Sequence, residues 1–230
     1  MRKLCWMGII LAILLCGCRN TAPHESPIRE TYSTESTQET APQLTLPCAL
    51  SGGTLVAEKL VRYDGVFWEK GGAEPVTGVA GLMLYNPTPK MVEFAAVVVK
   101  QGSQSLYFFV YQLPPMSRCL VAEYNQATYT EQPVTQCQER SVRWATQDYS
   151  RGPIDYLGYG PRLTVINRES RVQNSVTVWY KQYVKEGEYY LGGGVEAARL
   201  FLLQPEQRET LYPEHYHTAS AKIVAIETHT

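Results

Sequence analysis

Between Asn174 and Tyr183 the chain alternates: Val176, Val178 and Tyr180 fall to one side, Ser175, Thr177, Trp179 and Lys181 to the other. Side chains of a strand point to its two faces in turn, so this spacing predicts a strand. Met91–Val99 and Leu106–Tyr111 are runs of β-branched and aromatic residues without a helical period, and they predict strands too. Further strands are expected at Thr54–Tyr63, Val79–Tyr85, Arg118–Tyr124, Arg162–Ile166, Glu196–Leu203 and Ala221–Ile226. The gaps carry Gly-Gly, Asn-Pro, Leu-Pro-Pro and Glu-Gly, residues that supply the backbone angles of turns. Glu196–Leu203 alone has helical propensity, and its place in the repeat described next makes it a strand.

The pattern recurs at a fixed offset of about 80 residues. Val61-Arg62-Tyr63 falls on Val142-Arg143-Trp144, and Gly71 on Gly152. Leu82, Leu84 and Asn86 fall on Leu163, Val165 and Asn167; Lys90 and Lys100 fall on Arg171 and Lys181. Both copies continue through β runs ending in Leu113-Pro114 and Leu203-Gln204-Pro205. A unit of roughly 80 to 90 residues with about seven short strands suits an immunoglobulin-like sandwich. The expected fold is therefore all-β, two tandem immunoglobulin-like β-sandwich domains spanning residues 44–138 and 139–230. Asn86 and Asn167 stand at strand ends before turns, where Asn tolerates a left-handed backbone.

The N-terminus reads differently. Met1-Arg2-Lys3 is followed by an apolar run, Leu4–Leu15, and then by Cys16-Gly17-Cys18. A positive start, a short apolar core and a small-residue exit predict a cleaved secretory signal over residues 1–17. The run is too short to span a bilayer, which takes about 20 residues. Leu15-Cys16-Gly17-Cys18 resembles the lipobox of bacterial lipoproteins. The resemblance implies diacylglycerol on Cys18, cleavage before it, and an anchor on the outer face of the cytoplasmic membrane. Beyond it, up to residue 43, Thr, Ser, Glu, Pro and Gln dominate, with Ile28 and Tyr32 the sizeable apolar exceptions. Such a segment buries too little surface to offset its ordering entropy and is expected to be a disordered tether. A flexible chain of this length spans roughly 30 Å end to end.

Charge narrows the partners. Loss of the signal takes Arg2 and Lys3 from 21 basic residues and none of the 22 acids, for a net charge of about −3. That is no footprint for nucleic acid, and membrane attachment rests on the lipid of Cys18. Cys5 and Cys16 leave with the signal, so Cys48, Cys119 and Cys137 remain in the body. An odd number leaves one thiol over if a pair forms. Cys119 and Cys137 are the pair expected to close a loop within one domain, the alternative being buried free thiols.

Asn86-Pro87-Thr88, and in the second unit Asn167 ahead of Ser170, are each followed by a charge and a β run. This half of each unit resembles the Ig-like or FxLYD-type modules of Gram-positive surface lipoproteins, which implies a non-catalytic extracytoplasmic module. The motifs of catalysis are missing: no Walker loop, no Gly-x-Gly-x-x-Gly, no Gly-x-Ser-x-Gly, no His-Glu-x-x-His and no EF-hand loop. Gly192-Gly193-Gly194 reads as a hairpin loop. His215 and His217 share a face if extended, with Glu214 or His229 as further ligands, but their Pro-containing segment reads as a solvated loop and no metal is expected. Asp64, Asp148 and Asp155 are the only aspartates, all in turns or the inter-domain stretch. No cofactor is expected.

Aromatic residues are the remaining candidates. Tyr149, Tyr156 and Tyr159, with Trp144 and Tyr129 nearby, combine apolar rings with polar tips, the composition of binding surfaces and sugar-stacking platforms. Packing of the joint between domains is the rival reading. The longest aromatic-bearing loops are expected at Tyr63–Thr77, with Trp68, and at Trp144–Tyr159. The sequence thus points to a lipid-anchored binding or scaffold protein for a protein or cell-wall glycan partner. The alternative is an accessory subunit of an envelope transport or assembly complex.

Overall fold

The computed structural model describes residues 43–71, 74–146 and 152–230, so the signal, Cys18, nearly all of the tether and Tyr149 lie outside the described residues. The first half carries β1 (Cys48–Ala49), β2 (Val56–Phe67), β3 (Glu74–Asn86), β4 (Val92–Gln101), β5 (Gln104–Leu113), β6 (Ser117–Ala122) and β7 (Val134–Trp144). The second carries β8 (Ile154–Tyr159), β9 (Arg162–Asn167), β10 (Gln173–Val184), β11 (Tyr189–Leu203), β12 (Arg208–Leu211) and β13 (Ala221–His229). The described residues contain no helix and are all-β.

Pairing within the halves follows one scheme. β2, β3 and β6 are neighbours in order, and so are β8, β9 and β12. β4 lies between β5 and β7, and β10 lies between β11 and β13. In this scheme the counterpart of β7 is β13, not β2, so the match of Val61-Arg62-Tyr63 to Val142-Arg143-Trp144 is not a structural equivalence. β7 pairs with β4 from Gln101↔Val134 to Val92↔Trp144, so Gln138 falls inside a strand. The change from one strand set to the next lies between Trp144 and Ile154.

Alternation explains both cores. On β5, Leu106, Phe108 and Val110 are fully buried, while Tyr107 and Tyr111 on the other face stay about two-fifths exposed. Ala95, Val97 and Val99 of β4 and Leu82 and Leu84 of β3 join them in the first core. Burying each such Leu, Val or Phe stabilises the fold by about 1.5–3 kcal/mol. The second core gathers Leu163 and Val165 of β9 with Val176, Val178 and Tyr180 of β10. The other face of β10 meets protein too, for Trp179 and Tyr183 pack against the first core. The start of β11 then pairs in parallel with β6, Tyr189↔Arg118 to Leu191↔Leu120, which joins the two halves in one seven-stranded sheet.

Asn86 and Asn167 are fully buried, and neither has the left-handed backbone that its type permits. Their side chains do the structural task instead, by bonding the turns that follow. The expected loop at Tyr63–Thr77 is mostly strand, with β2 running on to Phe67 and β3 starting at Glu74.

Candidate functional site

The joint between the halves holds a buried charge. Lys181 lies on the β10 face that packs towards the first core and is 1% exposed. Its ammonium donates to the carbonyl oxygens of Tyr111 at 3.1 Å, Gly193 at 3.0 Å and Gly194. Three donors thus meet three acceptors, one on β5 and two on β11. Glu69, in the turn after β2, accepts from the N–H of Ala122 at 2.7 Å through Oε1 and from the N–H of Gly193 through Oε2. Burial pushes the Glu69 carboxyl up to about 7, against the pull of those N–H groups and of Lys181. Burial in turn lowers Lys181.

The glycines explain why this fits. Gly192–Gly194 lies inside β11, not in a hairpin loop. Gly192 has φ +82°, and a Cβ there would overlap the Cβ of Trp68. A Cβ at Gly193 would overlap the carbonyl oxygen of Phe109, and one at Gly194 the carbonyl oxygen of Trp68. The run is glycine because two backbones touch, and that contact brings the carbonyls within reach of Lys181. Cys119 closes the cluster, its thiol donating to Gly192 O at 3.1 Å, and burial pushes it up to about 12. Trp68 sits here as well, edge-on to His215 with ring centroids 5.4 Å apart. It is half-buried in the joint. Lys181, Glu69 and Cys119 thus bond backbone groups of β5, β6 and β11 across the joint, while the buried Trp68 Nε1 beside them has no partner among the described residues.

The other aromatic candidates separate. Trp144 ends β7 and packs against the first core. Tyr156 and Tyr159 both lie on β8 but three residues apart, so they fall on opposite faces of the sheet. Tyr156 is opposite Val165 and lines a groove of about 330 Å³ with Tyr216, Thr218 and Lys222. Tyr159 is opposite Arg162 on the outer face, where the guanidinium carbon sits 5.0 Å from its ring centroid. Beside that pair runs the row Leu157, Thr164 and Thr210, whose two hydroxyls are 3.0 Å apart. Leu157 and Tyr159 are 61% and 74% exposed, and Tyr212, next after Leu211 at the end of β12, is 70% exposed. This outer face is an open surface of the second half, with an aromatic ring, hydroxyls and a guanidinium side by side; Phe201 of β11 is a further exposed ring.

The histidines and cysteines complete the inventory. His217 Nδ1 accepts from Ala219 N at 3.1 Å, while His215 packs on Trp68. Among the described residues no three His, Cys, Asp or Glu side chains are grouped to hold a metal ion. Cys48, Cys119 and Cys137 are free thiols. The pair expected between Cys119 and Cys137 is not the one that meets: the neighbouring thiol of Cys137 is that of Cys48, and Cys119 is engaged with Gly192. No family model, curated protein or solved structure matches the chain.

Proposed function

We propose that the protein is a lipid-anchored extracytoplasmic binding or scaffold protein, held through Cys18 and presenting two tandem immunoglobulin-like β-sandwiches. The repeated strand scheme and the paired Asn86 and Asn167 turns support the tandem reading. The surface that binds is the outer face of β8, β9 and β12. The observation that carries this reading is the exposure of Leu157 and Tyr159 beside Arg162, Thr164 and Thr210 on one sheet face, with exposed Tyr212 directly after β12. Exposed rings beside hydroxyls stack on sugars or anchor a protein partner, and apolar side chains this open on a folded surface mark contact sites.

The test has two parts. Retention of the purified protein on cell-wall material, or its stoichiometric recovery with envelope proteins, is compared between wild type and Tyr159→Ala/Tyr212→Ala. A drop of tenfold or more in the double variant, with unchanged thermal midpoint, supports the surface, and equal retention rejects it. Fractionation of Cys18→Ala checks the anchor separately, since the variant is expected to leave the membrane.

A further inference from the structure

We infer that Cys48 and Cys137 join in a disulfide when the protein meets a thiol–disulfide oxidant, fastening the segment ahead of β2 to β7. The segment Leu44–Ser51 runs beside β7. Leu44 N donates to Val134 O at 2.7 Å, and Glu139 N donates to Ser51 O at 3.4 Å. Ser51 pairs in parallel with Gln138, and Ser51 Oγ donates to Cys137 O at 3.5 Å. These contacts fix the backbone on both sides of Cys48. Between them Cys48 packs on the core that contains Cys137, and the two thiols are neighbours. Cys48 is half-buried and Cys137 is 5% exposed, so one thiol is open to a reagent and its neighbour stands behind it. Cys119 sits elsewhere, on β6, with Lys181 and Glu69 as its charged neighbours.

The reaction balances as an exchange. The Cys48 thiolate attacks one sulfur of the oxidant's disulfide and expels the other as a thiolate. Cys137, once deprotonated, attacks Cys48 Sγ and expels the second. One S–S bond forms in the protein while one breaks in the oxidant, which takes up two electrons. The two cysteine protons end on the two released thiols. Burial and the adjacent Cys48 thiol push Cys137 up to about 12, so closure quickens as pH rises. The cross-link closes a loop of roughly 90 residues and restricts the unfolded chain accordingly. Its use in the cell rests on the export proposed above, because disulfides persist in oxidising compartments.

Purified full-length protein is treated with glutathione disulfide under native conditions, then unfolded, alkylated and mapped by mass spectrometry. The expected product is a peptide pair linked through Cys48 and Cys137, with Cys119 alkylated and the thermal midpoint raised. Cys48→Ser is expected to abolish both the link and the rise, and Cys119→Ala to leave both in place. A Cys119–Cys137 link, or unreacted Cys48 and Cys137 after treatment at alkaline pH, overturns the inference. Mapping of the wild type decides the matter even if a variant fails to fold. A cytoplasmic location would overturn the export reading and leave this pairing untouched, so the two failures are distinguishable.

Discussion

Asn86 and Asn167 share three hydrogen bonds of the same pattern in the two halves of the chain. In each, Nδ2 donates at 2.8 Å to the carbonyl four residues on, Lys90 or Arg171. Each also donates to the leucine carbonyl that ends the β5 or β11 strand, Leu113 at 3.4 Å and Leu203 at 3.0 Å. Each Oδ1 accepts the N–H two residues on, from Thr88 at 3.1 Å or Glu169 at 2.9 Å. One buried amide thus ties a strand end, its turn and a distant strand end together. Replacing either residue by Ala leaves those backbone groups without partners, a loss of about 2–3 kcal/mol at each site. Urea unfolding of the two single variants is expected to show similar losses. A change under about 0.5 kcal/mol at one site alone would mean that the turns are not held alike.

These two residues also mark where the sequence was readable. Their spacing revealed the repeat, and the buried strands announced themselves through runs such as Val97–Val99 and through the alternation of Val176, Val178 and Tyr180. The strands without a readable pattern are β1, β7, β8 and β12, and all four lie at sheet edges. Arg208–Thr210 of β12 are all exposed, as is every residue of β8 after Ile154, so no core face imprints alternation on them. Missing β7 put the domain boundary at Gln138. The joint was hidden for another reason. Lys181 looks like an outward-facing residue of an alternating strand, and only tertiary packing turns that face inward. Gly192-Gly193-Gly194 was a visible signal, but glycine serves both loops and close backbone contacts, and one sequence does not tell them apart.

Lys181→Met tests the joint directly. Methionine keeps the length of the side chain but leaves the carbonyls of Tyr111, Gly193 and Gly194 without their donor and Glu69 without its counter-charge. Breaking a buried charge network in this way is expected to destabilise the protein by about 3–5 kcal/mol. Lys100, the sequence counterpart of Lys181, is exposed, so Lys100→Met should stay within about 0.5 kcal/mol of wild type. Comparable losses from both substitutions, read from denaturant midpoints, would remove the special role given to Lys181.

Gly193→Ala tests the backbone contact. The added methyl collides with the carbonyl oxygen of Phe109, which belongs to the β5 strand and has little freedom to retreat. A loss of about 3 kcal/mol or more is expected, seen as a lowered thermal midpoint or insoluble protein. Gly152 has nothing within 4 Å of its notional Cβ, so Gly152→Ala serves as the neutral comparison.

Glu69 gives the fold a pH dependence whose direction follows from its environment. Its carboxyl stands at about 7 in the folded protein against an ordinary 4.5, because burial disfavours the charged form. A raised folded value means the folded state holds the proton more tightly than the unfolded chain. The contribution to stability is therefore complete below about pH 4.5 and is lost as pH rises through about 7. The full swing corresponds to about 3 kcal/mol. The titratable groups that face it are Lys181 on β10, Cys119 on β6 and Tyr63 on β2. Cys119 and Tyr63 are pushed up to about 12, so neither changes charge in this window. Glu69→Gln does not titrate, and its amide turns a donor towards one of the two N–H groups, a loss that does not depend on pH. The stability of wild type minus that of Glu69→Gln is thus expected to fall steadily between about pH 4.5 and pH 7.5 in urea titrations. A difference that stays flat, or rises with pH, would show that the Ala122 and Gly193 N–H groups and Lys181 outweigh burial and keep the carboxylate charged throughout.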